Sequence, residues 1–210
     1  MRSLVILLIL FSGVDVAVWA QQKITLDDLI FKNTFGQESV YDVRSMNDGL
    51  HYTTLEDGNK VVKYSFKNGE KVSVLFDLSK IEKAPIQNFS SYEFSDDETK
   101  LLLTTNRIPI YRRSYTARYY VWNSVTNELT ELSIKGPQQV ATFSPDGERV
   151  AFVRDNNIFI KNLKFGTESQ VTSNGKKNEI INGIPDWVYE EEFSYNKAFA
   201  WSPDSKFLAF

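Results

Sequence analysis

Eight consecutive residues near the end of this chain, Asp186-Trp187-Val188-Tyr189-Glu190-Glu191-Glu192-Phe193, place three successive glutamates among three aromatic rings. A run of charge ordinarily belongs to a solvated face. Aromatic neighbours desolvate carboxylates and drive them toward a cation. A fixed pair of anions in such a setting is a receptor for a free amino group. A peptide α-ammonium, with a pKa of about 7.7–8.0, is mostly charged at neutral pH. Two carboxylates can accept its three donors in charge-assisted hydrogen bonds.

A second candidate stretch is Tyr111-Arg112-Arg113-Ser114-Tyr115-Thr116-Ala117, between two strand-like runs. A planar guanidinium there could bond a carbonyl oxygen and a neighbouring carboxylate together. Arg112 and Glu191 are far apart in the chain, so only a fold that turns both inward could unite them.

Other chemistries are excluded by residue type. There are no cysteines, so no disulfide, thiolate metal site or cysteine nucleophile can form. The one histidine, His51, stands in an alternating, strand-like run. No Gly-x-Ser-x-Gly elbow accompanies it, so no Ser-His-Asp triad is expected. No glycine-rich phosphate loop is present, and no metal or other cofactor is expected. The net charge of -3 and the lack of basic runs argue against a nucleic-acid partner.

The elements that must position these residues are short and β-like. The composition, 42% hydrophobic and 14% aromatic over 210 residues, suits a globular core. Alternating runs span residues 50–55, 61–66, 72–76, 100–104, 119–122, 150–154 and 157–162, most of them separated by Asp, Asn, Gly or Pro turns. Only residues 26–31 and the acidic stretch 185–193 suggest short helices.

An internal repeat organises the strands. Phe143-Ser144-Pro145-Asp146-Gly147-Glu148-Arg149-Val150-Ala151-Phe152 is echoed by Trp201-Ser202-Pro203-Asp204-Ser205-Lys206-Phe207-Leu208-Ala209-Phe210. Worn copies start at Ser95 and Ser45. The serines at 45, 95, 144 and 202 give spacings of 50, 49 and 58. An aromatic ends one strand, Ser-Pro-Asp-Gly turns the chain, and an apolar-Ala-apolar strand returns. A repeat of about 40–50 residues that forms a four-stranded sheet is a β-propeller blade. The fold class is therefore all-β: about three blades and the start of a fourth. The acidic motif falls in the longest interval, as an insertion between blade strands. The chain stops inside the return strand of its fourth repeat, so a fragment of a longer protein is expected.

The first twenty residues read as an export signal. Arg2 is a positive n-region, Leu4 to Phe11 an apolar core, and Val18-Trp19-Ala20 a cleavage site. The alternative is a retained membrane anchor, disfavoured because Ser12, Gly13 and Asp15 interrupt a stretch already shorter than the roughly 20 apolar residues a span needs. Residues 21–40 form a lead-in and 41–210 the partial propeller. A cysteine-free exported protein suits a bacterial periplasm or the extracellular space.

The acidic segment resembles the Asp-Trp-Val-Tyr-Glu-Glu-Glu motif of the dipeptidyl peptidase IV family, and residues 111–117 resemble that family's aromatic-Arg-x-Ser-Tyr-Thr-Ala loop. The resemblance implies serine exopeptidases that release N-terminal dipeptides, preferentially after proline or alanine. It implies that Glu191 and Glu192 hold the substrate amine, that Arg112 binds the carbonyl of the penultimate peptide bond, and that Glu190 is structural. It places the triad in a C-terminal α/β-hydrolase domain absent here, so no residue of this chain is expected to be catalytic. The expected partners are the N-terminus of a peptide substrate, the chain's own hydrolase domain and, in the full-length protein, a second copy. The alternative is a non-catalytic propeller that binds peptides or proteins.

Overall fold

The structure is a computed structural model that describes residues 23–37 and 39–210. The expected export signal lies outside the described residues. Two compact units divide at Ser39. Among its described residues, the first has a short helix, α1 (Leu26–Ile30). Thr25 caps it, its hydroxyl accepting from the Asp28 N–H while the Asp28 carboxylate accepts from the Thr25 N–H.

The second unit, Val40–Phe210, is built of antiparallel sheets in chain order. The first sheet contains β1 (Tyr41–Ser45), β2 (His51–Glu56), β3 (Lys60–Ser65) and β4 (Lys71–Asp77). The second contains β5 (Ser91–Phe94), β6 (Lys100–Pro109), β7 (Tyr115–Asn123) and β8 (Glu128–Glu131). The third contains β9 (Gln139–Phe143), β10 (Arg149–Arg154), β11 (Asn157–Asn162) and β12 (Glu168–Gln170). A two-stranded start of a fourth, β13 (Ala200–Trp201) with β14 (Leu208–Ala209), follows the helix α2 (Trp187–Phe193). Each complete sheet is a four-stranded meander, as in a propeller blade.

The core lies between the sheets. Successive residues of a strand face opposite sides, and the central strands are apolar on both. Leu101 and Leu103 of β6 pack toward Val61 and Phe76 of the first sheet. Leu102 between them packs toward Val150 and Phe152 of the third. Ala151 and Val153 of β10 then meet Phe199 and Trp201 next to the fourth. Ala151, the alanine of the repeat in the third sheet, is fully buried. This double-sided burial makes the strands read as continuous hydrophobic runs such as Leu101-Leu102-Leu103.

The repeated turn forms in all four sheets. In three of them a serine oxygen accepts the N–H that ends the turn: Ser95 from Lys100, Ser144 from Arg149 and Ser202 from Phe207. An aspartate two residues beyond the serine bonds that serine's hydroxyl. The first sheet closes one residue later than the serine spacing implies. Met46, and not Ser45, exchanges its N–H with the carbonyl of His51. Methionine offers no hydroxyl, and Asp48 Oδ1 takes its place, accepting from the N–H groups of Leu50 and His51. The turn's left-handed position is occupied by Gly49, Glu98, Gly147 and Ser205, with φ between 56° and 65°. Only two of the four are glycine, which is why the repeat looks worn.

Adjacent turns are also joined. Asn47 N–H donates to Glu98 Oε1 (2.6 Å), and Asp146 N–H donates to Ser205 Oγ (2.9 Å). The sheets are thereby registered at the same level along the stack, a requirement for residues on different sheets to meet at one place.

Candidate functional site

Two excursions from this stack carry the candidate residues. The first is the β6–β7 hairpin. β5 pairs with β6 only as far as Thr104, and β8 pairs with β7 only from Tyr120 onward. Beyond that the hairpin runs on as a two-stranded ribbon to Pro109↔Tyr115, with a register shift after Thr105. Ile110 N–H donates to the Ser114 carbonyl and closes the tip. The guanidinium of Arg107 stacks on the Tyr115 ring, 3.8 Å from its centroid, and braces the ribbon.

The second excursion is the insertion over residues 171–199, which carries α2. Gly183 roots it against the third sheet. At φ +78° a Cβ there would lie 2.8 Å from side-chain atoms of Val153 and Ile158, and the Gly183 carbonyl accepts from the Ala198 N–H. Pro185 leads into the Asp186 cap, whose carboxylate accepts from the Tyr189 N–H (3.0 Å). Ser194, left-handed at φ 64°, ends the helix. The acidic stretch expected to be helical from residue 185 is helical over Trp187–Phe193.

The two excursions meet through consecutive residues. Glu190 is buried, and its Oε1 accepts from the backbone N–H groups of Arg113 (2.7 Å) and Ser114 (2.8 Å). Burial pushes the Glu190 carboxyl up. The Ser114 hydroxyl, the two backbone N–H groups and the Arg113 charge outweigh it and hold the group below the usual carboxylate range. Next along the helix, Glu191 Oε2 lies 3.5 Å from Arg112 Nε. Arg112 is well exposed and Glu191 largely covered. Glu192 is exposed and takes part in no ion pair among the described residues. The structure thus brings Arg112 and Glu191 together and leaves Glu192 open beside them.

A cavity of about 1020 Å³ lies beside the Glu190 contact, and Arg112, Glu191 and Glu192 are not among the residues that line it. Tyr111 and Ser114 line it from the hairpin, Trp187 and Glu190 from the helix, and Arg154 and Lys176 from the third sheet and the loop after it. The exposed rings of Tyr189, Phe193 and Tyr195 form a ladder with centroids 5.5 and 6.3 Å apart. A receptor of one or two carboxylates, an arginine and aromatic walls suits a cationic head group attached to a chain with carbonyl acceptors.

The Arg107–Tyr115 stack and the Gly183 root had no signal in residue spacing, because both depend on contacts that only the folded ribbon and insertion create. His51 Nδ1 lies 2.6 Å from Asp48 Oδ2 at a blade turn, remote in sequence and topology from this contact. Among the described residues no group of three His, Cys, Asp or Glu side chains could hold a metal, and no helix is long and apolar enough to cross a membrane.

Comparison with known proteins gives one answer. The family model for the dipeptidyl peptidase IV N-terminal region matches residues 95–210. Bovine prolyl endopeptidase FAP is 34% identical over 191 residues, covering 90% of this chain and 24% of that protein. Feline dipeptidyl peptidase 4 is 33% identical over 204 residues, covering 96% of this chain and 26% of that protein. The crystal structure of Porphyromonas gingivalis dipeptidyl peptidase 4 superposes with a TM-score of 0.82 at 40% identity, over 89% of this chain and 27% of that one. The chain spans about a quarter of the length of these relatives. With its meander sheets, its acidic helix and its arginine hairpin, the chain belongs to the dipeptidyl peptidase IV family, within the N-terminal β-propeller region.

Proposed function

We propose that this chain is the substrate-binding propeller portion of an exported serine dipeptidyl aminopeptidase, and that Glu191, Glu192 and Arg112 bind the N-terminal end of a peptide. Glu191 and Glu192 accept the hydrogen bonds of the substrate α-ammonium. Arg112 directs Nε toward Glu191 and offers its Nη donors to the carbonyl of the penultimate peptide bond. The nucleophilic serine and its partners come from an α/β-hydrolase domain outside this chain. Fixing the amine a set reach from that serine limits cleavage to the second residue, because a longer N-terminal extension has no room and a blocked one has no charge. Binding energy spent on the amine and the carbonyl places the scissile bond for attack.

The observation that carries this reading is the 3.5 Å approach of Arg112 to Glu191, from two different excursions of the fold. An exposed ion pair contributes little to stability, so this pair is not what holds the two excursions together, and its charged groups remain available to a ligand. The test is the full-length protein assayed on a free-amine dipeptidyl chromogenic substrate. Glu191→Ala and Glu192→Ala are each expected to lower kcat/KM on the order of a hundredfold, since stranding one partner of a desolvated charge pair costs roughly 3–5 kcal/mol. Wild-type kinetics in both variants would reject the role.

A further inference from the structure

Helix α2 is docked in an unusual way. It is seven residues long, and its only buried residue is a charged one, Glu190. Trp187, Val188, Tyr189 and Phe193 are all at least half exposed. A helix this short is not stable alone and ordinarily depends on an apolar face packed against the body of the protein. Here the contact with the hairpin is made instead by one carboxylate oxygen that accepts two successive backbone N–H groups, those of Arg113 and Ser114.

The amine-receptor residues flank this anchor on both elements. Glu191 follows Glu190 on the helix, and Arg112 precedes Arg113 at the hairpin tip. Their own ion pair is long and its arginine is 70% exposed, so water and salt weaken it. The Glu190 bonds are short, charge-assisted and shielded from solvent. Of the two contacts, the Glu190 bonds are the stronger, and they set where Arg112 and Glu191 sit. The depressed carboxyl of Glu190 keeps it ionised across the neutral range, so the anchor stays in its strongest form.

We infer that Glu190 is a positioning residue: by binding the backbone of Arg113 and Ser114 it holds the Arg112 hairpin against the acidic helix and assembles the amine receptor. The inference rests on the reading of Arg112 and Glu191 as substrate-binding groups, and it adds a role for the first glutamate of the motif that involves no contact with substrate. It also explains why three glutamates stand in a row. The first ties the helix to the hairpin, and the next two are presented by that tie.

The test uses the full-length protein carrying Glu190→Ala, Glu190→Gln, Arg112→Ala, or the Glu190→Ala and Arg112→Ala pair together. Hydrogen exchange over residues 110–117 reads the anchor directly. Protection of the Arg113 and Ser114 amides is expected to fall in Glu190→Ala, to survive in Glu190→Gln, whose amide oxygen can accept the same bonds, and to be unchanged over β9–β11 in both. Unaltered protection in Glu190→Ala overturns the inference, as does equal loss in the two variants. Kinetics on the free-amine substrate supply the functional arm. Glu190→Ala is expected to lower kcat/KM by about tenfold or more in the wild-type background and by less than about threefold once Arg112 is already alanine, because residues acting through one another are not additive. Equal losses in the two backgrounds overturn the positioning role. If Arg112→Ala alone leaves kcat/KM unchanged, the receptor reading fails, while the exchange data still decide whether Glu190 holds the hairpin.

Discussion

Arg112 Nε lies 3.5 Å from Glu191 Oε2, and 79 positions of chain separate the two residues. The hairpin ribbon and the helical insertion leave different sheets of the stack, and this pair is where their tips meet. The guanidinium approaches the carboxylate through Nε, which leaves its Nη groups outside the pair and available to the carbonyl of the proposed substrate. Lysine cannot reproduce that arrangement, because an ammonium is a point charge without a fork. Arg112→Lys is therefore expected to lower kcat/KM of the full-length enzyme by about tenfold to a hundredfold, close to the loss in Arg112→Ala. Steady-state kinetics check this. Full activity in the lysine variant would show that charge alone suffices.

A receptor for the ammonium, as proposed above, would read charge as well as shape, which gives a pH dependence with a defined sign. A peptide α-ammonium loses its proton with a pKa of about 7.7–8.0. The charged form donates three hydrogen bonds to carboxylates, and the neutral amine cannot offer the same attraction. The affinity of a free-amine peptide inhibitor is therefore expected to fall by about tenfold per pH unit above about pH 8. Inhibition constants measured between pH 7 and 9.5 test it. A profile that stays flat over that range rejects recognition of the ammonium.

Much of this was legible in the residues, and the gaps have physical causes. The blade repeat was visible because Ser-Pro-Asp-Gly turns and double-sided apolar strands such as Leu101-Leu102-Leu103 have few other uses. The first blade was read one residue out of register, since its turn replaces the serine with Met46 and gives the serine's work to Asp48. Strands such as β8 and β12 have burial on one face or less and carry no apolar run to announce them. The acidic helix stands out as a charge run among aromatic residues, and the arginine loop through its resemblance to the family's aromatic-Arg-x-Ser-Tyr-Thr-Ala motif. Their joint does not, because Glu190 bonds the backbone of Arg113 and Ser114, and a backbone partner leaves no mark on residue type.

The third sheet contains a buried ion cluster with its own pH signature. Glu168 accepts from Arg154 Nη2 (2.8 Å) and from the Ser133 hydroxyl (2.6 Å), and Lys135 Nζ lies 3.3 Å away. Arg154 also stacks on the Phe159 ring, at 4.1 Å. Burial raises the Glu168 carboxyl, but these partners outweigh it and hold the group at about 2, against 4.5 for a free glutamate. Because the folded value is the lower one, the stabilisation is present in full above pH 4.5 and is lost as pH falls toward 2. Glu168→Gln is expected to cost about 2–3 kcal/mol at neutral pH. Its deficit in Tm relative to wild type should shrink between pH 4.5 and 2. A deficit that is constant with pH would mean that the carboxylate charge is not what the cluster uses.

The placement of Glu190 and Glu191 depends finally on Gly183, a few residues earlier at the root of the same insertion. A methyl group there meets two barriers. The backbone at φ +78° is a conformation that alanine adopts only with strain, and the new carbon would lie 2.8 Å from Val153 and Ile158, both of which have no exposed surface. The side chains cannot yield without opening the layer between the third and fourth sheets, so the insertion must shift outward and carry Glu190 and Glu191 away from the hairpin. Gly183→Ala is expected to destabilise the propeller by about 1–3 kcal/mol. It should also reduce kcat/KM more than a substitution of equal thermal cost elsewhere, such as Ala151→Gly on the same buried layer. Comparing the two variants at matched Tm separates loss of the fold from loss of the receptor. Equal activities at equal Tm would show that the insertion's root does not govern the alignment of Arg112 with Glu191.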